Sequence, residues 1–264
     1  MNIFIRELKA NRKALIIWSI CMILLVVSGM AKYTAYSEGG SANEVFNKMP
    51  FTLKALLGIG SFDVTSIGGF FAFLFLYIEL TVGIHAVLLG NGIIAKEERD
   101  KTTEFLIVKP VSRSTIITSK LLAAFVNLVI INLITLVSSI VMVGQYNKGD
   151  SINGEILTFF IAMFIVQLLF LSLGALLSAF MKKAKVSGSI ATGILLLSFV
   201  ISKITDVTDR MNFLNVLSPF KYFSYVDIVN GNGLNFIVVA VTLLMIIVFS
   251  VFTYFFYNKR DLAI

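Results

Sequence analysis

The chain has 264 residues, of which 58% are hydrophobic and only 14% are charged. Soluble domains average about a quarter charged residues, so this composition excludes an ordinary soluble domain. One histidine and one cysteine exclude a histidine-based metal cluster and a disulfide framework. The net charge of +7 is assigned below to membrane topology and contact with anionic lipid, not to nucleic-acid binding.

The apolar residues form six long runs, each close to the ~20 residues that cross a bilayer as a helix. The runs lie at about 14–31, 67–95, 121–143, 156–181, 186–202 and 234–257. Helices are expected throughout, because a lipid-exposed backbone must satisfy its own hydrogen bonds. The sequence therefore predicts an all-α integral membrane protein that forms a single domain over residues 1–264, with no internal repeat.

The N-terminus alternates apolar and charged residues before the first run. Ile3, Phe4 and Leu8 are interspersed with Arg6 and Glu7, which predicts a short interfacial amphipathic helix. The sequence 29–31 weakly resembles a cleavage site, but the preceding apolar stretch is longer than that of a usual signal peptide. We therefore expect the first run to remain as a span.

Basic residues collect on one side of the predicted spans. The N-terminus, residues 96–120, residues 182–185 and the C-terminal tail together hold 15 of the 22 Lys and Arg against six acidic residues. Short loops rich in Lys and Arg stay in the cytoplasm. Both termini are thus predicted to be cytoplasmic.

Two loops on the opposite side are too apolar to be free in water. One contains the patch 51–57, which is expected to lie on the outer membrane surface. The other, residues 203–233, mixes polar residues with Phe, Tyr and Val. It predicts short helices that lie in or dip into the outer leaflet.

The loop between spans two and three, here called the cytoplasmic segment (residues 96–113), begins as a dense charge cluster. It then becomes apolar at residues 105–108 and meets Pro110. An apolar patch rimmed by charge indicates either docking to a protein partner or a helix lying flat on the inner leaflet. Ser112 is predicted to cap the helix leading into span three.

The cytoplasmic segment resembles the first cytoplasmic loop of ABC-2 type permeases, the membrane subunits of ATP-binding cassette exporters. The resemblance rests on Glu98, Asp100-Lys101-Thr102, Glu104-Phe105-Leu106, Lys109-Pro110-Val111-Ser112-Arg113 and Lys120-Leu121-Leu122. Many members have Gly-Thr in place of Lys101-Thr102, so the match is to a subgroup. Residues 217–222 and the tail 258–262 agree as well, and the resemblance extends over nearly the whole chain.

This resemblance implies a cytoplasmic coupling helix between spans two and three, over Glu97–Val108, that docks on a separate P-loop ATPase. The residues it assigns to ATPase coupling are Glu97, Glu98, Arg99, Asp100, Thr102, Glu104, Phe105, Leu106, Pro110 and Arg113. It also implies two copies of the ATPase, which bind ATP and Mg, and a second permease protomer, identical or homologous. This chain itself has no GxxxxGK[ST] motif, so no enzymatic activity or cofactor of its own is expected.

A few polar residues lie inside the predicted spans. Glu79 is interpreted either as cavity-facing and proton-linked or as a protonated carboxyl bonded to a neighbouring helix. Asn132 and Gln167 belong to polar stripes that serve helix packing or line a translocation path. His85 does not share a helix face with Glu79 and is expected to be a packing or hydrogen-bonding residue, and Cys21 a small packing residue.

Together these features predict the permease subunit of an ABC exporter in a bacterial plasma membrane. The scarcity of buried charge favours an amphiphilic substrate such as a lipid, hydrophobic peptide or drug. Two alternatives stay open: an ion-coupled secondary transporter that uses Glu79, and a membrane immunity or sensor protein that does not pump.

Overall fold

The structure is a computed structural model, and it describes residues 3–37, 48–58, 63–100, 111–149, 151–181 and 183–259. Six long helices account for most of them: α1 (Ile3–Met30), α2 (Ile67–Arg99), α3 (Arg113–Tyr146), α4 (Asn153–Phe180), α5 (Ala184–Val207) and α6 (Phe236–Lys259). Each of the six predicted runs is long and apolar enough to cross a membrane. The prediction of six helical spans is confirmed for the described residues.

The helices extend beyond the apolar runs. Residues 96–99 continue α2, and α3 already begins at Arg113. Ser112 caps α3, accepting a hydrogen bond from the Thr115 amide at 3.1 Å, as predicted. Residues 101–110, where most of the coupling helix is expected, lie outside the described residues.

The N-terminal prediction differs from the structure. Residues 3–13 are the first three turns of α1 and continue without a break into the apolar run, so they do not form a separate interfacial helix. No proline or glycine interrupts the chain there, and a helix continues where nothing stops it. Cys21 also differs from expectation, because it is exposed on α1 rather than packed.

The core lies between α2 and α4, the pair of helices with the most extensive contact. In the most apolar stretch of α4, 67% of residues are buried within the protein, against 11% in α6. A Cβ built at Gly90 would lie 2.1 Å from the Leu171 carbonyl oxygen, and one at Gly174 would lie 2.3 Å from that of Val87. These two glycines therefore let the backbones of α2 and α4 touch.

The connections at the end of the bundle away from Arg99 contain short helices, which the sequence predicts for residues 203–233. Phe51–Leu56 is α-helical, with Phe51 and Leu53 exposed. After α5 come two 3₁₀ helices, Asp209–Leu217 and Pro219–Lys221, and the short α-helix Tyr225–Val229. Phe213 and Val216 are about three-quarters exposed, as expected for a segment that lies against lipid.

Candidate functional site

A buried lysine lies at the end of the bundle where the cytoplasmic segment begins and ends. Lys120, on the second turn of α3, has no exposed side-chain surface. Its ammonium is ion-paired with the carboxylate of Glu97 and donates a hydrogen bond to the Ile93 carbonyl oxygen at 2.6 Å. Because a buried charge is costly unless it is paired and hydrogen-bonded, this lysine fixes the start of α3 to the end of α2.

The first helix joins the same cluster. Nη2 of Arg6 donates to Oε1 of Glu97 and to Oε1 of Glu7, each at 3.0 Å. The ammonium of Lys96 lies 3.6 Å from Oε2 of Glu7, whose side chain is fully buried. These five side chains thus connect the ends of α1, α2 and α3. They are here called the charge network: Arg6, Glu7, Lys96, Glu97 and Lys120.

The charge network lies on the helices that flank the segment 101–110. Glu97 lies four residues before residue 101, and Lys120 lies ten residues after residue 110. Both ends of the segment 101–110 are therefore attached to helices that the network holds together. The carboxylate of Glu97 thus joins α1 through Arg6 and α3 through Lys120 to the end of α2.

The predicted coupling residues that the structure describes lie at this end of the bundle, on or next to α2 and α3. Glu97 directs its carboxylate to Lys120 and Arg6 within the chain. Arg99 is exposed and pairs with Asp100 at 3.1 Å. Arg113 donates to the Asn258 carbonyl oxygen at 3.1 Å, an acceptor at the negative end of α6. Glu98 is half-buried at the end of α2, while Thr102, Glu104, Phe105, Leu106 and Pro110 lie outside the described residues.

The structure brings together two of the three predicted path residues. The Asn132 amide donates to Oε1 of Gln167, which joins α3 to α4. Gln167 is fully buried and Asn132 nearly so. The interaction is the interhelical hydrogen bond expected of packing residues in a membrane.

Glu79, the third predicted path residue, is 2% exposed on α2. Its carboxyl accepts a hydrogen bond from the hydroxyl of Tyr225, on the short helix Tyr225–Val229. Burial, and secondarily the nearby Glu79, raise the pKa of Tyr225 well above its usual value, so the hydroxyl keeps its proton and remains a donor. The contact supplies the hydrogen bond to a neighbouring helix that one interpretation of Glu79 requires, while the protonated state of its carboxyl stays a prediction.

His85 packs as the sequence predicts. Its ring is 5% exposed and lies against Trp18 of α1, with 5.0 Å between ring centroids and 60° between planes. The contact joins α1 to α2.

A second charged cluster, which the sequence analysis did not identify, lies at the opposite end of the bundle. The Asp206 carboxylate pairs with Lys203 at 2.7 Å and also with Lys221. These side chains line a cavity of about 260 Å³, here called the polar cavity, together with Leu76, Phe220 and Val226. The i, i+3 spacing of Lys203 and Asp206 is a sequence signal for an ion pair on one helix face. The predicted fifth run ends at residue 202, however, which places both residues in the loop that follows.

Six helices that are long and apolar enough to cross a membrane are the arrangement of a multi-pass membrane protein. A family model described as ABC-2 family transporter protein matches residues 1–262. The chain therefore belongs to the ABC-2 transporter family and is a membrane transport component. Comparison with curated proteins gave no match.

Proposed function

We propose that this chain is the permease subunit of an ABC exporter. It moves an amphiphilic substrate (a lipid, a hydrophobic peptide or a drug) outward or out of the inner leaflet, while a separate P-loop ATPase binds ATP and Mg and hydrolyses the nucleotide. Family membership supports the permease assignment. The absence of a GxxxxGK[ST] motif from the sequence is consistent with an ATP site on a partner.

The charge network is the observation that carries this proposal. Lys120 and Glu97 join the two helices that flank the segment 101–110, and Arg6 adds the end of α1. A displacement imposed on that segment by an ATPase would reach all three helices, because packed and ion-paired elements move between discrete arrangements rather than deform continuously.

The assembly follows from the same proposal. Two permease protomers, identical or homologous, pair with two ATPases, and the substrate passes between the spans of the two protomers. The weakly buried α6 and α1 leave apolar surface for lipid or for the second protomer. The excess of Lys and Arg at the network end supports cytoplasmic termini in a bacterial plasma membrane.

The proposed translocation path includes Glu79, Asn132 and Gln167, provided that the helices around them separate during transport. In the present conformation they are buried between helices of a single chain. A path through them requires α2, α3 and α4 to separate during transport. Their hydrogen bonds, Asn132 to Gln167 and Tyr225 to Glu79, would then break and re-form in each cycle.

The proposal is tested by purification of the tagged chain from its native membranes in mild detergent. We expect a P-loop ATPase to co-purify in stoichiometric amount, with ATPase activity in the eluate. Phe105→Asp and Leu106→Asp place a charge in the apolar part of the cytoplasmic segment, so they are expected to abolish ATPase binding without loss of membrane insertion.

Phe213→Asp provides the matched control, because Phe213 is also an exposed phenylalanine but lies at the opposite end of the bundle, 73% exposed. It should leave ATPase binding unchanged. Retention of the ATPase by the Phe105→Asp variant would contradict the docking proposal. An ATPase-free protein in several detergents would instead favour a carrier or a sensor, and Glu79→Gln would then be the variant to assay for ion-coupled transport.

A further inference from the structure

The polar cavity has the chemistry of an anion site. Lys203 and Lys221 share the single carboxylate of Asp206, so the three groups together carry one positive charge. Glu79 also acts on Lys203, but it does not line the polar cavity. Its carboxyl is 2% exposed and has no ion pair among the described residues, so its charged form is costly. A cation in excess, held at a cavity, attracts an anionic ligand.

Among the described residues, the two ammonium groups have hydrogen-bond donors to spare. Each ammonium carries three N–H donors, and among the described residues each has Asp206 as its one hydrogen-bond acceptor. The Lys203 residue is only 9% exposed, so bulk water reaches it poorly. An oxyanion with several acceptor oxygens would satisfy the remaining donors of both lysines.

The backbone leaves room for such a ligand next to Lys203. Gly58 borders the polar cavity in a left-handed conformation, with φ of +83°. A Cβ at this position would lie 2.9 Å from Cδ2 of Leu76 and 3.4 Å from the Lys203 ammonium nitrogen. The absence of a side chain there keeps the space beside Lys203 open.

The surroundings of the polar cavity are those of a lipid site. Leu76, Phe220 and Val226 line it beside the charged groups. The chain between Asp206 and Lys221 exposes Phe213, Val216 and Leu217, each more than 60% exposed. These exposed side chains, together with the apolar residues of the lining, are here called the apolar rim. An apolar rim and a cationic cavity together fit a molecule with a charged head and acyl chains.

We propose that the polar cavity binds the phosphate headgroup of an anionic phospholipid, with Lys203 and Lys221 as its ligands and the rim beside it in contact with the acyl chains. The two lysines each donate to phosphate oxygens while they keep their contact with Asp206. The proposal concerns binding by this chain alone. It therefore stands or falls separately from the proposed coupling to an ATPase.

The test is native mass spectrometry of the purified full chain with added phosphatidylglycerol or phosphatidylcholine of identical acyl chains. We expect phosphatidylglycerol to be retained in preference. Lys203→Gln should weaken its apparent affinity at least about tenfold, equivalent to about 1.4 kcal/mol, and Lys221→Gln should weaken it less. Lys148→Gln, which removes an exposed lysine at the same end of the bundle, should leave retention unchanged.

Asp206→Asn keeps the proposal testable if the lysine variants unfold. This variant removes the competing carboxylate and raises the charge of the cluster, so it should tighten retention of phosphatidylglycerol several-fold, a gain that misfolding would not produce. Equal retention of the two lipids, or unchanged retention in both Lys203→Gln and Asp206→Asn, would overturn the proposal. Binding of inorganic phosphate alone, with no lipid preference, would overturn it in favour of a free-anion site.

Discussion

The two ends of the bundle use the same residue types in opposite ways. In the charge network Lys120 is fully buried between Glu97 and a backbone carbonyl. In the polar cavity Lys203 and Lys221 share one carboxylate beside about 260 Å³ of open space. Charges that are enclosed and paired hold helices together, whereas charges with spare donors at a cavity are available to a ligand.

The largest effect on stability is expected at the charge network. Lys120→Met removes the fully buried cation that pairs with Glu97 and leaves only the partly exposed Arg6 beside this carboxylate. The free energy of unfolding should fall by up to about 3–5 kcal/mol. Thermal unfolding in detergent measures the loss. Lys9→Met, which removes an exposed lysine of α1, should have little effect, and the double variant Glu97→Gln/Lys120→Met should recover part of the loss. Equal stability of the Lys120→Met and Lys9→Met variants would refute the structural role of the network.

The interface between α2 and α4 lies between the two ends and should respond next most strongly. Gly174→Ala places a methyl group against the Val87 carbonyl, and overpacking of this kind costs about 1–3 kcal/mol. Gly193→Ala is the matched control, because no atom lies within 4 Å of its Cβ position. A Gly174→Ala variant that unfolds at the temperature of the Gly193→Ala variant would show that the two backbones are not in contact.

A smaller effect is expected at the hydrogen bond between α3 and α4. Asn132→Ala should destabilise the protein by about 0.6 kcal/mol, and by no more than about 1.7 kcal/mol, as for other interhelical hydrogen bonds in membranes. If the role is packing, Asn132→Ala and Gln167→Ala should be non-additive in unfolding measurements. Additive stability effects combined with a changed substrate preference would instead indicate that these side chains line the path.

The smallest effect on stability is expected at the polar cavity. Lys221→Gln removes a side chain that is 28% exposed, and Lys203 continues to neutralise Asp206. The free energy of unfolding should therefore change by less than about 1 kcal/mol, as for other solvent-accessible ion pairs. The comparison with Lys120→Met in the same unfolding assay is decisive: similar losses for the two variants would mean that the polar cavity is as structural as the network.

Local features of the sequence determined the helical framework. Run length and hydropathy gave the six spans, since a helix that crosses lipid must be apolar over about 20 residues. Ser112 was identifiable as a cap from its place before α3, and the broken apolar pattern of residues 203–233 predicted short helices. Membership of the ABC-2 family was likewise recognisable from the order of residues in the cytoplasmic segment.

Only the tertiary structure decided which charges meet. Arg6 and Glu97 are 91 positions apart, and Lys221 and Asp206 are separated by a helix end and a run of 3₁₀ helix. The sequence placed Glu97 on a docking surface and treated Lys203 as a loop residue, because hydropathy locates a residue relative to the membrane but does not say which helix face it occupies. Pairing depends on how the helices pack around α2 and α4, where close contact at Gly90 and Gly174 fixes their relative positions.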